Sequence, residues 1–381
     1  MTGRTWAALA ASLICGVLCA GVAQAAVRQY YIAADEVDWD YMPSGQDQMM
    51  GMAPMGYAKL FYDSGPHQIG HIYHKSIYRE YTDASFTHLK PRAPQDAYLG
   101  ILGPIIHAEV GDTIKVRFRN NGTHPYSLHP HGVFYEKASE GAPYEDGVAA
   151  SAKGGDEVAP GATFDYVWTA PERAGPGPAD PNSIVWLYHS HVEERKDTNS
   201  GLAGAIIITR RGMARPDGTP KDADQEFIQF YMAYDENQSW FIDQNINRFT
   251  SDPKGVVLAK TSPTDPMGAY DPLLGQGLGI QNFRFTINGY QFANMPMITM
   301  KKGERVRWYL ITLGEGLNFH TPHWHGNTVL VSGQRTDLIA LSPAQMVTAD
   351  MVPDDPGVWL MHCHVSDHMD QGMVARYAVQ P

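Results

Sequence analysis

Short stretches in which apolar and polar residues alternate recur along the chain. Examples are "DTIKVRFRN" from Asp112 to Asn120, "ATFDYVWTA" from Ala162 to Ala170 and "RVRWYLIT" from Arg305 to Thr312. Successive side chains on a strand point to opposite faces, so a period of two predicts strands with one buried face. The apolar runs are brief and are interrupted by Gly and Pro, and the 3.6-residue period of long amphipathic helices is scarce. The pattern predicts an all-β protein.

The pattern also repeats. "VGDTIKVRF…YSLHPHG" in the first half corresponds to "KGERVRWYL…NFHTPHWHG" in the second, and "VWLYHSH" (Val185 to His191) to "VWLMHCH" (Val358 to His364). Each half has a strand led by Gly, then His-x-His-Gly, then Trp-Leu-x-His-x-His. The polar stretch Arg210 to Glu226, with its Pro and Gly, reads as the connection. Two tandem β-sandwich units follow, over residues 26–212 and 224–381, joined by a linker over 213–223.

Composition narrows the setting. The 381 residues carry a formal charge of −12, which disfavours nucleic acid and anionic membranes as partners. The first residues, with Arg4, an apolar run and "AQAA", read as a signal peptide over residues 1–25. The chain is therefore expected to be exported, to the periplasm or beyond, and no later segment is apolar enough to span a bilayer. Two of its three cysteines, Cys15 and Cys19, lie in that leader. Cys363 is then alone in an oxidising compartment, without a disulfide partner: a buried small hydrophobe, a nucleophile or a metal ligand.

The histidines favour the ligand. Ten of sixteen fall in four clusters: His129/His131, His189/His191, His320/His323/His325 and His362/His364/His368. On a strand, residues i and i+2 share a face, so each His-x-His presents two imidazoles together. By the same parity Cys363 points away from His362 and His364, and His320 away from His323 and His325. His320 and Cys363 are thus expected to meet inside the second unit, with His368 and Met373 supplied downstream. Two histidines, a thiolate and a weak methionine make a blue-copper electron-transfer site. The first unit has Tyr126 in place of His320 and Ser190 in place of Cys363, and keeps both outward pairs.

The run H-x-H, H-x-H, H-x-x-H-x-H, H-C-H-x3-H-x4-M resembles the signature of the multicopper oxidases. Phrases such as "LGILGPIIHAEVGDTIKV", "LYHSHVEERKDTNSGL" and "PDDPGVWLMHCHVSDHMDQGM" resemble the ceruloplasmin branch of that family. The resemblance implies cupredoxin Greek-key sandwiches and four coppers per chain. His320, Cys363, His368 and Met373 would hold the type 1 copper. His129 and His323 would hold the type 2 copper, and His131, His189, His191, His325, His362 and His364 the type 3 pair. It implies one-electron oxidation of a substrate at type 1, transfer through Cys363 and its neighbours, and reduction of O2 to water at the trinuclear cluster. Two-domain members build that cluster between subunits, so a homotrimer closed head to tail is expected. Asp146, in "YEDG", matches the position where laccase-like members keep an aspartate for proton supply.

The donor is less determined. Ferroxidases of this branch place acidic groups near the type 1 histidine, and Asp367 beside His368 matches one such place. The strand "GLGIQNFRFTING" (Gly277 to Gly289) supplies no others and carries Arg284, which argues against Fe(II). Five methionines between Tyr41 and Tyr57 (Met42, Met49, Met50, Met52, Met55) offer soft ligands for Cu(I). Phenols and amines would need an apolar pocket. His67, His71 and His74 form a weaker metal-binding pattern. A copper nitrite reductase and a copper-binding protein without turnover are the rival readings. The complete set of eight outward histidines and the position of Cys363 in the second half argue against the first, and the absence of any missing cluster ligand argues against the second.

Overall fold

The computed structural model describes residues 25–256, 280–314 and 318–381. Residues 1–24 of the expected leader, with Cys15 and Cys19, and Gly277 to Gly279 of the stretch before the Asn288-Gly289 turn lie outside the described residues.

The strands assemble into two pairs of sheets with matching topology. In the first half, one sheet runs Ile72–Glu80, Val27–Asp40, Thr113–Asn120, Thr163–Thr169, Phe134–Tyr135. Its companion runs Ile106–Glu109, Ala203–Thr209, Ser183–His189, His129–Pro130. In the second half, a six-stranded sheet runs Phe283–Ile287, Gln225–Asp235, Val306–Thr312, Met346–Met351, Val329–Val331, Gln334–Thr336. Its companion runs Ile298–Lys301, Val374–Gln380, Gly357–Cys363, Pro322–Trp324. The parallel pairings correspond too: Val27–Asp40 beside Thr113–Asn120 is matched by Gln225–Asp235 beside Val306–Thr312. Helices among the described residues are short, the longest being Ile242–Phe249. The protein is all-β, as the alternation predicts.

Thr113–Asn120 behaves as its sequence reads, with Ile114, Val116 and Phe118 buried and Lys115 exposed. Val306–Thr312 does not, because all seven residues are buried. Its outer side is packed against the first-half strand Ser183–His189. Tyr309 meets Ser183 Oγ at 2.6 Å, and Arg307 donates to Ser183 Oγ at 2.8 Å. Arg307 tolerates burial because Asp350 and Asp222 pair with it at 2.7 and 3.0 Å.

One apolar core fills the first sandwich, around Ile114, Phe118, Tyr166, Trp168 and Ile206. A larger one fills the second and extends into first-half residues such as Tyr41, Phe61 and Leu187. Where the halves meet, Lys75 and Glu236 form a wholly buried ion pair. Lys75 also donates to the Asn199 carbonyl at 2.7 Å and lies 4.5 Å from the Tyr234 ring, while Tyr41 donates to Glu236. Such a pair is tolerated only when its partners are in place, so it fixes how the two halves pack.

Candidate metal centres

The antiparallel pairing of Pro322–Trp324 with Gly357–Cys363 puts His323 opposite His362 and Pro322 opposite Cys363. Cys363 therefore faces inward, where it is fully buried together with His320 and Met373. The sulfur lies 3.9 Å from His320 Nδ1 and 3.7 Å from His368 Nδ1, and these nitrogens are 3.2 Å apart. Main-chain bonds tie the group together: Cys363 N–H donates to the Met373 carbonyl at 3.1 Å, and Met373 N–H to the His368 carbonyl at 2.9 Å. Asn318 Oδ1 accepts Ala233 N–H at 2.8 Å and His320 Nε2–H at 3.0 Å, leaving the lone pair of His320 on Nδ1, toward the sulfur. Thr321 N–H donates to Sγ at 3.3 Å. Burial pushes His320 down to about 3 and His368 down to about 4, so both rings are neutral near pH 7. Burial raises the Cys363 thiol.

The outward faces carry two sets of four imidazoles. His323, His325, His362 and His364 have neighbouring ring centroids 4.9–5.5 Å apart. His129, His131, His189 and His191 lie 5.1–5.6 Å apart, with His129 opposite His189 across the strand pair. Several rings are oriented by bonds that settle their tautomer. Nδ1–H of His129 donates to the Glu140 carbonyl at 2.7 Å, that of His189 to Ser190 at 3.0 Å, and that of His362 to Cys363 at 2.9 Å. Each leaves Nε2 as the lone-pair donor. These lone pairs face neighbouring rings: His189 Nε2 lies 3.1 Å from His131 Nε2, and His362 Nε2 3.1 Å from His325 Nε2. His323 instead turns Nδ1 inward, 3.2 Å from His362 Nε2, and sets Nε2 3.5 Å from Asp337. Burial, then the neighbouring rings, holds His131 near 4. A cleft of about 440 Å³ lined by His129, His131, Phe134, Tyr135 and Arg173 opens beside the first set. Among the described residues, no ring of one set touches a ring of the other.

The same device positions both sets. Gly132 and Gly326, which end the two His-x-His-Gly motifs, have φ of +73° and +74°. A Cβ on either would strike the Trp of its own Trp-Leu-x-His-x-His motif, Trp186 at 2.1 Å and Trp359 at 2.5 Å. His131 N–H donates to Leu187 and His325 N–H to Leu360, at 2.9 and 3.0 Å. The two motifs of each half thus recur together because each packs on the other.

In the first half the inward position is filled by a carboxylate. Asp197, fully buried, accepts from Ser190 Oγ at 2.6 Å, from the N–H groups of Val192 and Glu193 at 3.0 and 3.1 Å, and from Trp240 Nε1 at 2.8 Å. Tyr126, in place of His320, receives a hydrogen bond from Ser76.

Other sequence candidates are placed less centrally. Asp146 is ion-paired with Lys137 and Lys153 at 2.6 and 2.5 Å, which hold its carboxyl well below the usual range. Lys137 also binds Glu140, whose carbonyl orients His129, so Asp146 belongs to the first set's surroundings without touching a ring. Asp367 is exposed beside His368. Arg284 points into the protein, donating to the Phe61 carbonyl and Tyr73 Oη at 2.7 Å, and Phe285 takes the side facing His368, ring to ring at 4.6 Å. His67, His71 and His74 do not converge; they pair separately with Asp252, Asp40, and Asp38 with Glu36. Of the five loop methionines, Met42 is core, whereas Met49, Met50, Met52 and Met55 are exposed. Asn318, Asp337, Phe285 and the orienting carbonyls were not foreseen. Backbone acceptors leave no mark in a sequence, and Asn318 shows only as a polar residue two before His320.

The donor atoms fit a metal. Bonds of roughly 2.0–2.1 Å to nitrogen and roughly 2.3 Å to sulfur separate trigonal ligands by about 3.1–3.6 Å (N–N) and about 3.6–3.9 Å (N–S), as found for His320, Cys363 and His368. Two neutral histidines and a cysteine, with the buried Met373 tied through its main chain to the same turn, match the donor types of a copper site. The fold and this pocket define a cupredoxin-type copper protein.

The comparisons agree. Models of the multicopper oxidase family match residues 99–212 and 267–381, and the chain belongs to that family, in its ceruloplasmin-like branch. It is 40% identical over 362 residues to ferroxidase HEPHL1 of Homo sapiens, covering 94% of this chain and 30% of that protein. Hephaestin and ceruloplasmin of Homo sapiens are 38% and 39% identical, each over 93% of this chain and over 29% and 32% of theirs. The chain thus spans less than a third of the length of these relatives. Its fold matches a crystal structure of a multicopper oxidase (TM-score 0.55, 19% identity, covering 93% of this chain and 89% of that one). It also matches the blue copper oxidase of Nitrosomonas europaea (TM-score 0.54, 18% identity, covering 93% and 86%).

Proposed function

We propose that the protein is a multicopper oxidase of two cupredoxin units, residues 26–212 and 224–381, that couples one-electron oxidation of a reducing substrate to reduction of O2 to water. The observation that carries this is one strand, Gly357–Cys363. It leads the inward thiol Cys363 directly into the outward His364 and follows the outward His362, and that ring bonds back to the Cys363 carbonyl. A His2Cys pocket and a four-imidazole face are thereby joined through single residues. When bound, four coppers would supply one-electron acceptance at the first and O2 reduction at the second. His320, Cys363, His368 and Met373 would hold the type 1 ion, and the eight outward histidines the type 2 ion and type 3 pair.

The chain's own residues prepare this chemistry. Burial keeps His320 and His368 neutral, and Asn318 and the orienting carbonyls fix which nitrogen points inward. Asp146, linked to His129 through Lys137 and Glu140, is the carboxylate placed to relay protons. Two lysines keep it ionised and make it a weak base, so it would take up a proton only where one of those ion pairs opens. The two four-histidine faces of one chain do not meet, and this supports completion of each cluster by a neighbouring copy in a ring, read as a homotrimer. The donor is Fe(II), Cu(I), or a phenol or amine; that ferroxidases are among the relatives supports a metal ion. The N-terminal run read as a leader supports export, periplasmic or secreted. No helix among the described residues is long and apolar enough to cross a membrane.

The test is oxygen uptake by copper-loaded protein with Fe(II), Cu(I) and a phenol offered in parallel, with copper content and particle mass from the same sample. Four coppers per chain and uptake abolished by Cys363→Ser are expected. One copper per chain and no uptake in an assembled oligomer would overturn the reading.

A further inference from the structure

We propose that the loop from Asp47 to Met55 is a capture site for Cu(I), placed to present that ion to the type 1 pocket. The inference rests on the oxidase reading for what becomes of the electron, but not for binding.

Four thioethers lie within seven residues, and all are turned to solvent: Met49 is 37% exposed, Met50 60%, Met52 40% and Met55 62%. Burying a methionine stabilises a fold, and this loop leaves part of that stabilisation unused at each of the four. Nor is it a slack connection. The Asp47 carboxylate accepts the N–H groups of Met49 and Met50 at 3.0 and 3.2 Å. Asp47 N–H donates to the Met52 carbonyl at 3.0 Å, and Gly51 N–H to the Asp47 carbonyl at 2.8 Å. A closed loop bearing several thioethers is a soft-ligand set, and soft ligands select Cu(I) over harder divalent ions.

Position gives the site its use. Although in the first half of the chain, the loop is seated on the second. Gln48 N–H donates to the Phe292 carbonyl at 3.0 Å, and Asn294 Nδ2 donates to the Gln46 carbonyl at 3.0 Å. Arg376 donates to Gln48 Oε1 at 3.2 Å. Phe292 N–H in turn donates at 2.8 Å to the carbonyl of Gly372, the neighbour of Met373. Two main-chain hydrogen bonds therefore separate the methionine loop from the turn that carries a type 1 ligand. The strand Phe283–Ile287, by contrast, offers a cation no carboxylate or imidazole: Arg284 is spent inside and Phe285 packs near His368. The balanced reaction turns four Cu(I) into four Cu(II) as one O2 and four protons become two waters.

Ag(I) is the probe, since it shares the softness of Cu(I) and is not oxidised here. Copper-loaded wild-type protein is titrated with Ag(I), following affinity and the methionine methyl resonances, beside a variant with Met49, Met50, Met52 and Met55 all changed to Leu. Tight binding that shifts these four methyls and weakens at least tenfold in the variant is expected. The ratio of Cu(I) to phenol kcat/KM should fall in parallel. Equal Ag(I) affinity in both proteins, or unmoved methyls, would overturn the site. So would a variant whose only change is in oligomer mass, which would make the methionines a contact between copies. If oxygen uptake fails with every donor while Ag(I) still shifts the methyls, the oxidase reading falls and the site stands.

Discussion

Replacing Gly326 by alanine should separate the two metal centres. At φ +74° an alanine pays about 1–2 kcal/mol for the left-handed backbone. Its Cβ would also lie 2.5–2.7 Å from three atoms of the Trp359 ring, an overlap that costs about 1–3 kcal/mol in packed surroundings. The sum, about 2–5 kcal/mol, must be relieved by moving the turn or the indole. The indole is held by Nε1–H donating to the Asp355 carbonyl at 2.9 Å, so the turn moves, and His325 and His323 with it. The inward pocket lies on the opposite face and keeps its ligands. On the proposed assignment, copper content should therefore fall at the outward histidines while the absorption of a blue site at Cys363 survives. The copper-free protein should melt about 4–20 °C lower, at roughly 2–4 °C per kcal/mol. Adding Trp359→Leu should recover the overlap part and leave the backbone part. A single variant that melts with the parent and retains full copper would refute the packing argument, and equal loss from both centres would refute the separation.

Lys75→Met should destabilise by about 3–5 kcal/mol, because Glu236 is left charged and wholly buried, and Lys75→Met with Glu236→Leu should regain most of it; denaturant unfolding of both variants checks this. Asp197→Ala leaves a hydroxyl, two amides and an indole N–H without their acceptor and should cost about 2–4 kcal/mol by thermal melting, where a loss under about 1 kcal/mol would count against that role. Asp38 is drawn down to about 2, chiefly by Arg248 and also by His74. A depressed carboxyl stabilises the fold above its unfolded pKa near 4 and loses that contribution as pH falls through about 2. Being 44% exposed, it is worth less than about 1 kcal/mol, so Asp38→Asn should only slightly flatten the acid limb of the stability–pH curve.

Much of the site was legible because strand parity is strict. The spacing His-Cys-His alone places Cys363 on one face and two imidazoles on the other, and His320, three and five residues before its own pair His323 and His325, follows the same rule. Alternation also found Thr113–Asn120. It failed for Val306–Thr312, because exposure there is decided by a second sheet far away in sequence, and ion pairs with Asp222 and Asp350 allow Arg307 to be buried. The sign of Arg284 was legible and its direction was not: it reaches carbonyls of Phe61 and Gly70 from more than two hundred positions away. Composition found the methionine loop, but only packing separates Met42, in the core, from the four that face water. Asp197 was invisible as well, since a carboxylate six residues beyond His191 acquires meaning only when it folds back onto Ser190.

That carboxylate makes the difference between the halves hard to reverse. Restoring a cysteine at position 190 would set a thiol against an anion already bound by two amides and an indole, and the thiolate that a cupric ion requires would face a like charge in a dry interior. Tyr126, Ser190 and Asp197 would have to change together, since removing Asp197 alone leaves Ser190, two amides and the Trp240 indole without their acceptor. The two halves therefore match in sheet topology and on the outward face, and differ at an inward position that no single substitution would convert.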